Sequence, residues 1–249
     1  MAAFLNPDST FAEQAERVLT LYQRICDVRD DRGHGEGDAR HVCLNNITMA
    51  AGASVSTLRL LHWAKQGGDG VLIQALGLSD PSYIHLVAED LLRASRLHLL
   101  VEYQFQVETL FRDILLALGK DPGNVGFYKL VKELLREIEI GDPDDKRGLL
   151  NVPALMRNSM HANGIHHGYK GLNTEEVIDG VEFRFEHGKR VQCGSWYHID
   201  VALTASINVV DEILGTSSVV DLGCIPDEYA VQRSAEETRT QRVGEPDDL

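Results

Sequence analysis

The stretch LMRNSMHANGIHHGYK, residues 155–170, carries one arginine, three histidines and no acid in a chain of formal net charge −14. Arg157 and His161 are four positions apart, so on a helix they share one face, a turn from each other. Arginine offers a rigid fork of donors that fits a phosphate, and imidazole exchanges a proton near neutral pH. The pair suits attack of an RNA 2′-hydroxyl on its neighbouring phosphate. His161 would handle a proton while Arg157 stabilises the charge growing on the phosphoryl oxygens. Asn158 and Asn163 are placed to orient the strand or to cap the helix end. The scheme needs no metal and no cofactor.

The surroundings lean the same way. No Asp or Glu occurs from Lys146 to Thr174, where Lys146, Arg147, Arg157 and Lys170 all fall. Such a window can form a local phosphate-attracting surface on an acidic protein. A second acid-free window, 39–68, makes the first less distinctive. His161, His166 and His167 do not read as a metal cluster: adjacent histidines point apart, no carboxylate completes a set, and the flanking glycines make a turn. GHGEG and GGDG lack the Lys-Ser/Thr of a phosphate loop, and there is no GxSxG elbow. His187 and His198 are expected at the surface, and Trp63 and Trp196 in the core.

These residues need elements to hold them. Ser9 or Thr10 caps a helix carrying Phe11, Val18, Leu19, Tyr22 and Ile25 at helical spacing. RGHGEGD (32–38) is a break, and a second helix runs from about Asn45 to Lys65. Asp80 and Pro81 open a long helix that no glycine interrupts before Gly119. The segment 125–140 is amphipathic, with Phe127, Leu130, Leu134 and Ile138 on one face. GDPDDKRG is expected to be a loop, with Pro153 in the first turn of the motif helix, which ends near Gly164. VEFRFEHGKRVQC (181–193) reads as a hairpin turning at His187-Gly188. Trp196 to Leu214 is helical again, and the charged tail 226–249 is expected to be disordered. The fold class is therefore mainly α, with one inserted β-hairpin.

Length and composition bound the rest. The 249 residues, 43% of them hydrophobic, can bury a substantial core. The N-terminus has neither the basic nor the apolar region of a signal peptide, and no apolar run is long enough to span a bilayer. Cys26, Cys43, Cys193 and Cys224 form no CxxC pair and read as reduced, mostly buried thiols, which fits a cytoplasmic protein.

LMRNSMHANG resembles the Arg-Asn…His signature of HEPN domains, helical domains that recur in bacterial toxin–antitoxin, abortive-infection and CRISPR ribonucleases. EYQFQVETLFRDIL resembles the long core helix of that family. Fewer residues separate arginine from histidine here than in the usual motif, which rotates His161 relative to the usual site. The resemblance implies a HEPN-like domain over about 80–225, preceded by an N-terminal helical region, 1–79, that matches nothing familiar. It implies binding of RNA or a nucleotide at the Arg157/His161 helix and metal-independent RNA cleavage leaving a cyclic phosphate, with Arg157, His161 and Asn158 as catalytic residues. Asn163, Lys170, His166 and Glu108 would contact the substrate. It also implies a homodimer, since in-line cleavage wants a base and an acid and one chain offers a single motif copy; an antitoxin would be a further partner. A different class stays open: a non-catalytic helical binding or sensing module, in which Arg157 bonds a carboxylate or a helix end.

Overall fold

Thr10 starts the first helix with a capping box: its side chain accepts from the Glu13 N–H, and the Glu13 carboxylate accepts from the Thr10 N–H. This helix, α1, spans Phe11–Arg32 and ends on Gly33 in the left-handed conformation. The computed structural model describes residues 10–66, 70, 73, 74, 77 and 83–227. Within them lie α2 (Ala39–Gln66), α3 (Ile84–Ala117), α4 (Phe127–Glu137), α5 (Pro143–His161), β1 (Thr174–Ile178), β2 (Val181–Phe185), α6 (Trp196–Leu214) and the short α7 (Ser217–Val220). The protein is mainly α with one inserted two-stranded hairpin. Asp80, Pro81 and the tail 228–249 lie outside the described residues.

Three local expectations are corrected. The α2 helix begins six residues earlier than periodicity suggested, because Asp38 closes the glycine-rich break as a cap: its carboxylate accepts from the Arg40 N–H at 2.9 Å. GDPDDKRG is not a loop. Pro143 occupies the first turn of α5 with Asp144 and Asp145 beside it, and Pro153 sits inside the helix. A fixed φ and two acids near the positive helix end favour an earlier start. The hairpin spans 174–185, with Val181 paired to Ile178. Asp179 and Gly180, both at positive φ, supply the two-residue turn that such hairpins require. After the turn at His187-Gly188, Arg190 bridges Ile165 rather than β2.

One apolar cluster joins every long helix, from Val18 and Ile25 on α1 through Ile47, Phe111, Leu134 and Leu150 to Leu203 and Ile207 on α6. The N-terminal helices thus share the core of the motif helix. Each such buried side chain contributes about 1.5–3 kcal/mol. Polar groups inside are mostly paired. The Tyr103 hydroxyl, fully buried, donates to Ser206 Oγ at 2.5 Å. Arg40 and Asp38 form a buried fork, with Arg40 also donating to Val219 O and Gly223 O, and the Ile225 N–H donating to Asp38. This latch ties residues 219–225 to the α1–α2 junction. Trp196 is core, whereas Trp63 is 57% exposed on α2.

Candidate nucleic-acid interface

The end of α5 is built by backbone geometry. The Ala162 N–H donates to Asn158 O at 3.1 Å and the Gly164 N–H to Ser159 O at 2.7 Å, while Asn163 takes φ +55°. That left-handed step, which asparagine tolerates, satisfies the last carbonyls and stops the helix. The chain then runs beside 188–191: Val191 donates to Gly164 O, His166 to Lys189 O and Gly188 to His166 O. This short ladder sets Arg190 against the end of the motif helix.

Arg157 and His161 share α5, as their spacing requires, but differ in setting. Arg157 is half-buried, and among the described residues its Nε has no hydrogen-bond partner. A buried guanidinium N–H left unbonded costs on the order of 1–3 kcal/mol, which an incoming acceptor would recover. His161 is exposed. His161 is the last residue of α5. Asn158 is exposed beside them.

The other expected residues scatter. Asn163 is exposed at the helix end. His166 is buried, its ring tilted against Phe185 at 5.5 Å. Burial, with His187 and His167 nearby, holds its pKa below the ordinary histidine value. A ring so enclosed does not present itself to a strand. Lys170 is exposed at φ +54°, its ammonium over the Tyr169 ring. Glu108 on α3 pairs with Arg112 at 2.8 Å, and Arg112 also holds Gly123 O and Val125 O; the carboxylate anchors the α3–α4 turn. Lys146 and Arg147 do not join Arg157 in a patch. They lie about 15 Å back along α5, bound to Glu212 and Asp144 respectively.

Two guanidiniums that no motif singled out lie near the end of α5. Arg96 on α3 is buried, donates to Leu92 O and Gly194 O, and is lowered to about 10 by its burial. Arg190 arrives through the ladder above. Only the pairing of residues 164–166 with 188–191, invisible in one sequence, brings it there. His198, expected at the surface, is half-buried between Phe183 and Tyr197 and bonded to Ser195 Oγ at 2.6 Å. Cys43 and Cys193 are buried, Cys26 is intermediate and Cys224 exposed.

Among the described residues, no helix is long and apolar enough to cross a membrane. No protein-family model, curated protein or solved structure matches the chain.

Proposed function

We propose that this chain is a HEPN-like protein that binds single-stranded RNA through the exposed end of α5. Arg157 would take a backbone phosphate, while His161 and Asn158 lie alongside the sugar. The observation that carries the reading is the Arg157 guanidinium: half-buried, with an unbonded Nε, on the same helix as an exposed imidazole. A phosphate oxygen supplies the missing acceptor, and the low-dielectric setting strengthens that bond.

Binding comes before cleavage in this reading. A single chain presents one copy of the motif with one imidazole, His161, and in-line cleavage wants both a base and an acid. Metal-independent cleavage is the second reading, and it requires two copies meeting at their α5 ends as a homodimer. Binding of a fluorescent single-stranded RNA by wild type, Arg157→Met and His161→Ala tests the first reading. Incubation of the same RNA with EDTA tests the second: cleavage that survives chelation and disappears in both variants supports an enzyme, and intact RNA supports a binding module.

A further inference from the structure

The acid-free stretch 39–68 is α2 and the two glycines after it. The inner face of this helix is core: Leu44, Ile47, Leu58 and Leu61 are buried, and α1 and α3 pack along it. The outer face of such a surface helix is ordinarily charged, the more so in a chain of net charge −14. Here it is not. Met49, Ala53, Ser56, Leu60 and Trp63 are all exposed, and they follow one another at steps of four, three, four and three residues. That is the a/d spacing of a two-helix seam, drawn on the side that faces solvent. Met49, Leu60 and Trp63 are each roughly half exposed. Ala53 and Ser56 between them are small enough for another backbone to approach closely.

The charges that α2 places beside this seam are positive and gather at its Trp63 end. The Lys65 ammonium lies 5.6 Å from the centre of the Phe11 ring, and among the described residues it pairs with no carboxylate. Arg59 has one ion pair, with Glu16 of α1 at 3.2 Å, and both side chains are more than half exposed. Such a pair contributes at most about 1 kcal/mol and exchanges readily for another acid. His62 is bonded to Gln66 at 2.9 Å. An apolar seam edged by cations fits a helix with apolar residues at a and d and acids along its edges. A second copy of this chain fits less well, because it brings the same acid-free helix with the same cations. Three half-exposed large side chains also fall short of the ~800 Å² per partner that a standard stable interface buries. A single amphipathic helix needs only a few anchors of this kind, and tryptophan is enriched among them.

We propose that the outer face of α2 docks an acidic amphipathic helix of another protein, with Met49, Leu60 and Trp63 as apolar anchors and Arg59 and Lys65 as charge contacts. No residue of α5 takes part, so the proposal is independent of the RNA-binding reading above.

The test uses the full chain and two synthetic heptad-repeat peptides, both with Leu at a and d, one with Glu and the other with Lys at e and g. Tryptophan emission supplies the signal: Trp63 is exposed whereas Trp196 is in the core, so docking on α2 shifts the emission of Trp63 to shorter wavelength. The acidic peptide is expected to produce that shift and to bind at least tenfold more tightly than the basic one, with the preference shrinking at high salt. Leu60→Asp should weaken it at least tenfold while leaving the melting midpoint of the free protein in place, because the side chain lies outside the core. Lys65→Glu should narrow the preference for the acidic peptide. Binding of neither peptide overturns the proposal, as does equal binding of both or acidic-peptide binding indifferent to Leu60→Asp. Sedimentation of the protein alone supplies the remaining arm. A concentration-dependent dimer that Leu60→Asp dissolves would show that a second copy covers this face, and would overturn the proposal too.

Discussion

At the scale of single residues, charges that hold the fold differ from Arg157, whose Nε has no partner among the described residues. Arg40 belongs to the first kind. It is 2% exposed, forked onto Asp38 and bonded to two carbonyls of the C-terminal segment. Arg40→Ala leaves Asp38 buried without its partner, which should destabilise the protein by about 3–5 kcal/mol in urea unfolding. Arg157 is the opposite case. Among the described residues its Nε is buried without a partner, so Arg157→Met keeps the packed stem and removes the unsatisfied donor. Stability should be unchanged or raised by about 1 kcal/mol. A loss as large as that of Arg40→Ala would mean that Arg157 is a structural residue. The sequence pointed to Arg157 and His161 through type and spacing, and the helix they need is present. It gave no hint of the Asp38–Arg40 latch. Two residues apart at the end of a glycine-rich break, they look like solvated loop charges until residues 219–225 fold over them.

At the scale of elements, the segment after α5 does the positioning. It leaves the helix through Asn163 and Gly164, pairs with 188–191, and encloses His166 against Phe185. Gly168 is the tight point. A Cβ there would stand 1.9 Å from the Leu172 carbonyl oxygen, a backbone atom that cannot rotate away. Gly168→Ala should therefore force the loop open, lower the melting midpoint by several degrees and expose His166. A variant that melts like wild type would show that the loop has room to spare. Helices with strong periodicity were legible: α4 and α6 fall where their apolar faces put them. Boundaries set by tertiary or turn chemistry were not. The α2 start depends on the Asp38 cap, the α5 start on Pro143, and the strand partner of Val181–Phe185 lies upstream in a segment, TEEVI, whose acids hide its strand pattern.

At the scale of the whole molecule, charge and pH set how the site operates. Burial lowers the pKa of His34, His166 and His198. The unfolded chain then binds protons at the ordinary value of 6.5 while the folded chain resists. The stability these groups contribute is fully present above that value and is lost as pH falls through their folded values. The urea midpoint should thus decline on acidification from pH 6.5 toward about 5, and His166→Gln should flatten part of the decline. The difference between the two profiles isolates His166 from Asp200 and Glu176, whose pKa values burial raises and which act in the opposite sense. An unchanged slope in the variant would mean that His166 is not held neutral by its surroundings. The net charge of −14 repels a nucleic acid at long range, so any RNA affinity must come from local guanidiniums and be sensitive to salt.

The most direct test is the salt-dependent affinity of the full chain for a single-stranded RNA, measured for wild type and Arg157→Met side by side. The account predicts that the folded variant binds at least tenfold more weakly, with the slope of log affinity against log salt shallower by about 0.7, one phosphate contact. Equal affinity and equal slope in a variant that melts like wild type would contradict it.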